Sequence, residues 1–202
     1  MNIRTAGFAA AVLASTSLAL AQTESKPASQ VTPAPAGQPS APPELEQIKF
    51  FIGSWTCTGT VNASDFGPAH KTRSTVKTHS DLDGFWYSGV VQELKTAENP
   101  HPVKGVFHMT YDGAKKQFAL MWVDNFGGWS MEFSPGLQGD TLAWEGEANM
   151  MGTKIPSRDK FVKKGEDGLT HAYDFQMKGQ WTTVGEETCK RAAAAAAPVK
   201  KP

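Results

Sequence analysis

The chain has 202 residues, of which 40% are hydrophobic, and its 20 basic and 20 acidic side chains leave it formally neutral at pH 7. Balanced charge without a basic stripe argues against nucleic acid as a partner, because phosphate binding needs a local surplus of Lys and Arg. Beyond the N-terminal segment no apolar run is long enough to cross a bilayer, so no transmembrane span is expected in the mature chain.

Arg4 precedes an apolar stretch over residues 6–20, and Ala19-Leu20-Ala21 supplies a small-x-small cleavage pattern. Residues 1–21 therefore read as a cleaved signal peptide and imply a periplasmic or secreted protein. Residues 22–43 are rich in Pro, Ala, Ser and Gln, with Val31 the one large apolar residue. Such a segment buries too little surface to offset its ordering entropy and reads as a disordered linker. Residues 192–202, an alanine run ending in Pro198-Val199-Lys200-Lys201-Pro202, read as a disordered tail. Between them, residues 44–191 are enough for one domain that buries roughly 68–70% of its unfolded surface.

Within that domain Leu45, Ile48 and Phe51 recur every third residue behind an acidic first turn, which predicts a short amphipathic helix over 44–51, ended by Gly53. The period then becomes two: Trp55, Cys57, Gly59 and Val61 alternate with Thr56, Thr58 and Thr60. Nine more strands are expected over 71–82, 85–95, 103–112, 116–125, 129–133, 141–150, 154–164, 169–178 and 181–191. Turn signals such as Asp83-Gly84, Asp112-Gly113, Gly127-Gly128, Gly139-Asp140 and Asp167-Gly168 separate them. About ten strands joined by hairpins predict an all-β, antiparallel up-and-down barrel rather than a Greek-key sandwich.

Leu142, Trp144, Gly146, Ala148 and Met150 form one face of their strand, opposite Glu145 and Glu147. His171, Tyr173, Phe175 and Met177 do the same in theirs, opposite Asp174 and Gln176. Both sets are expected to point inward. The helix over 44–51 is expected to close an end of the barrel, and because both faces over 116–125 are apolar, it is also the candidate to cover the outer face there. The first and last strands of an up-and-down barrel must be neighbours, and each carries one of the two cysteines. Counting by two from Trp55 turns Cys57 inward. Counting by two from Trp181, with no intervening bulge, does the same for Cys189. In an oxidising compartment this predicts a Cys57–Cys189 disulfide rather than two free thiols.

His171 is the residue of most chemical interest. An inward imidazole suits a metal or haem ligand or an acid/base, and equally a hydrogen-bonded histidine with no chemistry. The other histidines, His70, His79, His101 and His108, lack metal-ligand spacing, and no Gly-x-Ser-x-Gly elbow is present. No catalytic residue, metal site or cofactor is assigned. Six Trp and seven Met are many for this length. Trp129, Met131 and Trp181 join the inward sets as candidates for one lining, which forms either a packed core or a cavity wall. The ligand-binding candidates are Trp122, Trp144, Met150, His171, Tyr173, Phe175 and Met177.

Gly53-Ser54-Trp55, on a first strand after a short helix, resembles the start of the lipocalin-like (calycin) barrels. That resemblance implies a cation from the last strand packed across Trp55, a structural role for which Arg191 is first choice and Lys190 second. Trp122-Val123-Asp124 after Tyr111-Asp112, a Gly-rich hairpin and a Thr188-Cys189-Lys190-Arg191 ending are similar to an uncharacterised bacterial family of such barrels, a domain of unknown function. The nitrobindin-like haem barrels share a Gly-x-Trp-x-Gly-x-Gly start. Here Cys57 interrupts that pattern, which argues against haem.

Three readings of function remain: an exported barrel holding a small hydrophobic ligand, a structural or envelope-interaction module with a filled interior, and a haem-binding or His171-dependent protein.

Overall fold

The period-two pattern becomes ten antiparallel strands in the computed structural model, which describes residues 39–192. The segment expected to be a signal peptide, most of the expected linker and nearly all of the expected tail lie outside the described residues. The strands are β1 (Gly53–Val61), β2 (His70–Asp81), β3 (Trp86–Glu93), β4 (Lys104–Asp112), β5 (Gln117–Asp124) and β6 (Trp129–Ser134). They continue as β7 (Thr141–Met150), β8 (Thr153–Lys163), β9 (Gly168–Met177) and β10 (Gln180–Arg191). Each strand pairs with the next, and β1 pairs with β10, so the sheet closes into a lipocalin-like barrel with no free edge.

The closing seam joins strands at opposite ends of the sequence. Cys57 stands directly opposite Cys189 in its register, and the two form a disulfide.

The predicted N-terminal helix is a 3-10 helix over Pro43–Phe51. A three-residue turn puts Leu45, Ile48 and Phe51 in line on one side. All three are buried, in a cluster with Trp55, Phe118, Leu142, Trp144 and Leu169 that fills one end of the barrel. Arg191 secures this end. Its guanidinium lies 4.3 Å from the Trp55 ring centre and donates to the carbonyls of Ile52 (2.8 Å) and Phe50 (3.1 Å). Trp55 in turn donates its indole N–H to the Phe51 carbonyl.

Three expectations need correction. The helix plugs the end of the barrel and leaves the outer face of β5 bare, with Met121 40% and Val123 49% exposed. Trp129 and Met131 stand on the outer face of β6, since Ser130, Glu132 and Ser134 are its buried inward set. Trp181 also faces outward, opposite Gln176, with the Arg158 guanidinium stacked on it. A bulge between Thr183 and Gly185 inserts one residue and switches the faces, so Cys189 points inward although Trp181 does not.

Candidate functional site

Beyond the apolar plug the inward side chains become polar. Thr72 and Ser74 of β2, Glu187 of β10, His171 of β9, Ser157 and Asp159 of β8, and Ser130 and Glu132 of β6 share the other half of the interior. They come from strands that are not all neighbours, and two glycines let them meet.

Gly146 of β7 is in register with Glu132 on one side and Ser157 on the other. No side chain stands between them, and Ser157 Oγ donates to Glu132 Oε1 at 2.6 Å across the intervening strand. A Cβ at Gly146 would collide with the Met131 carbonyl oxygen and lie 2.8 Å from Glu132 Cα. Gly59 of β1 repeats the device, flanked in register by Thr72 and Glu187. Thr72 and Ser74 both donate to Glu187 Oε1, at 3.3 and 3.4 Å.

His171 joins the two halves of this belt. Its Nε2 is 2.6 Å from Asp159 Oδ1 and its Nδ1 is 3.9 Å from Glu187 Oε2. The ring stacks on Phe161 with centres 4.2 Å apart.

The electrostatics follow from this crowding. Burial pushes the Glu132 carboxyl up to about 9, and the nearby charge of Asp159 adds to the rise. Glu132 is thus a neutral acid at pH 7, and its Oε2 has no hydrogen-bond partner. Burial alone pulls the His171 imidazole down, but the hydrogen bonds and charges of Asp159 and Glu187 outweigh it and raise it to about 9. His171 is therefore an imidazolium between two carboxylates. Burial also raises the Tyr173 phenol, with Glu187, Glu93 and Asp159 contributing.

The polar half keeps accessible surface. His171, Asp159 and Glu187 point into a closed barrel yet keep 18, 23 and 16% of their side-chain surface accessible. Surface that faces inward and remains accessible borders open space. The aromatic rings leave that space free by lying along the wall. A Cβ at Gly105 would strike the Trp122 ring, and one at Gly185 would strike the Tyr173 hydroxyl, so each ring rests on a glycine of the adjacent strand. At the far mouth Phe66, in the β1–β2 connection, meets Phe175 edge-on at 5.8 Å.

Among the sequence-derived candidates, Trp122, His171, Tyr173, Phe175, Met150 and Met177 are half-buried. Trp144 has no accessible surface and packs edge-on to Phe118 within the plug, its indole N–H without a partner. Sequence reasoning missed Glu132, Asp159 and Glu187. In β8 the set Ile155, Ser157, Asp159, Phe161 alternates with Pro156, Arg158, Lys160, Val162, and neither set announces itself as the inner face.

Two other clusters carry less. Ser88 Oγ lies 2.8 Å from both Asp81 Oδ2 and His108 Nδ1. Here the serine sits between the acid and the histidine, whereas a catalytic triad needs the histidine in the middle. Among the described residues Cys57, Glu187 and Cys189 make the one group of three metal-type donors within reach of one another, and the disulfide ties up both sulfurs.

Residues 41–191 match a family described as a protein of unknown function (DUF1579). The chain belongs to that family. No curated protein is significantly similar to it. Among solved structures, this DUF1579 member is similar to Rv2717c from M. tuberculosis, with a TM-score of 0.59 at 13% identity over 76% of this chain and 100% of the other. That likeness is one of fold. An S-type phycobiliprotein lyase, CPES from Guillardia theta, matches at a TM-score of 0.46 and 9% identity over 74% of this chain and 93% of the other, too distant to add to it.

Proposed function

We propose that this protein is an exported container whose half-open lumen binds a small, largely apolar molecule. The observation that carries the reading is the accessible surface of His171, Asp159 and Glu187 inside a closed barrel, with aromatic rings laid flat along the wall. A barrel selected only for stability has every reason to fill that volume, because close packing adds dispersion energy throughout the core. The leader at residues 1–21 and the disulfide support an oxidising compartment.

The test is native mass spectrometry of the protein taken from its own host's envelope fraction, paired with titration of a neutral hydrophobic dye. A co-purifying mass and saturable dye binding are expected, both lost in Val91→Trp, which projects an indole into the lumen from β3. An unliganded protein that binds no dye refutes the container.

Two observations favour other readings. The perturbed His171 is the mark expected of an acid/base site, but an imidazolium at neutral pH is no general base. For an envelope-interaction module, Val90, Val106, Val123 and Trp129 form a single cross-strand row on the outer face of β3–β6. Loss of co-sedimentation with the envelope fraction in Val123→Lys would favour that module.

A further inference from the structure

The polar half of the lumen is short of positive charge. Among the described residues His171 is the one cationic side chain set among Glu187, Asp159 and the neutral Glu132, and it cannot offset both partly accessible carboxylates. Glu93 and Asp124 add acidic groups nearer the open mouth, each held by its own donors. Glu93 accepts from Asn99 Nδ2 and the Val103 N–H, and Asp124 from Trp122 Nε1 and the N–H groups of Phe126 and Gly128. Arg191 and Lys163 stand at the plugged end, against Trp55 and Phe50.

A second observation points to the same place. Glu132 is 1% exposed and points into the lumen, and its Oε2 has no hydrogen-bond partner among the protein groups. Glu132 is held neutral, and its unmet buried carboxyl oxygen costs free energy until a polar group of a ligand meets it. Aromatic rings stand on the same inner wall: Tyr173, two residues on from His171, and Trp122 on β5, the strand next to that of Glu132. Carboxylates combined with π-faces recognise organic cations, since ring and carboxylate both attract positive charge.

Resting on the container reading, we propose that the lumen takes a monovalent organic cation with an apolar body, an alkyl- or arylamine. Its ammonium sits against Asp159 and Glu187, and its body lies along Tyr173 and Trp122. One added positive charge neutralises the Asp159–His171–Glu187 set. A metal ion fits less well, because the donor atoms of Glu132, Asp159 and His171 do not form a group close enough to share one. An anionic ligand would add to the excess negative charge.

Three probes of equal length separate the possibilities by calorimetric titration at pH 7: octylammonium, octanol and octanoate. Octylammonium is expected to bind at least tenfold more tightly than octanol, with octanoate weakest. Asp159→Asn and Glu187→Gln, each near-isosteric, are expected to weaken octylammonium about tenfold and to leave octanol within twofold. The wild-type ranking stands as a test even where one variant folds poorly. Octanol or octanoate binding as tightly as the amine overturns the cation proposal and leaves the container intact. Failure of all three to bind overturns both.

Discussion

Replacing His171 with alanine probes the belt most directly. The imidazole contacts Asp159 at 2.6 Å and Glu187 at 3.9 Å and stacks on Phe161, so its loss leaves two inward carboxylates facing one another without a countercharge. Breaking a fully buried ion pair costs about 3–5 kcal/mol. These groups keep 16–23% of their surface, and with that screening we expect about 2–4 kcal/mol at pH 6. For a domain of this size that lowers Tm by roughly 5–15 °C. The pH dependence separates charge from packing. The His171 folded pKa of about 9 lies above its ordinary 6.5, so its contribution is complete below 6.5 and is lost as pH rises through 9. Glu132 shifts in the same sense, from 4.5 to about 9, so wild-type stability falls with rising pH across this window. The slope is roughly 1–2 kcal/mol per pH unit for each group. Urea denaturation at pH 6, 7.5 and 9.5 should therefore show the widest gap between wild type and His171→Ala at pH 6, narrowing towards 9.5. Adding Asp159→Asn to the variant should recover part of the loss. A gap that stays constant across these pH values would mean that His171 contributes packing alone, and the electrostatic account would be wrong.

Three further outcomes are expected. The Cys57–Cys189 bond spans 132 residues, and replacing both cysteines by serine should cost about 4–5 kcal/mol on the chain-entropy account, read by chemical denaturation; the intact monomer should show no free thiol on denaturation without reductant. Arg191→Ala removes the stacked cation over Trp55 and the donors to Phe50 and Ile52, for a loss of about 2–4 kcal/mol, with Arg191→Lys recovering less than half because an ammonium cannot reproduce the planar fork. Gly146→Ala should destabilise by about 1–3 kcal/mol through overpacking, whereas Gly113→Ala, where nothing lies within 4 Å of the new methyl group, should change stability by less than about 0.5 kcal/mol; equal effects at the two positions would remove the argument for glycine-bridged contacts.

Local pattern was enough to determine the architecture. Alternation of Trp55, Cys57 and Gly59 with threonines, turn residues between successive apolar runs, and sequential hairpins lead to a barrel whose ends must join. The joined ends place Cys57 beside Cys189, and the resemblance to calycin barrels adds Arg191 over Trp55. The three-residue spacing of Leu45, Ile48 and Phe51 likewise carries the helix that plugs the end. These features are legible because each depends on a period within one strand or on the order of strands.

The candidate site depends instead on register across several strands. Glu132 and Ser157 meet only because Gly146 stands between them, and Thr72 and Glu187 only because Gly59 does. Nothing near Glu132 in sequence marks it as inward, since it alternates with the larger and more apolar Met131 and Phe133. The bulge at Thr183/Gly185 is equally silent in sequence, and it sends Trp181 outward while leaving Cys189 inside. The uncovered outer row from Val90 to Trp129 arises because the helix buries its apolar side at the barrel end. Within a strand, side-chain direction repeats with a fixed period. Which side chains share a charge environment is decided by register between neighbouring strands, and His171 acquires its two carboxylates from β8 and β10, which flank β9.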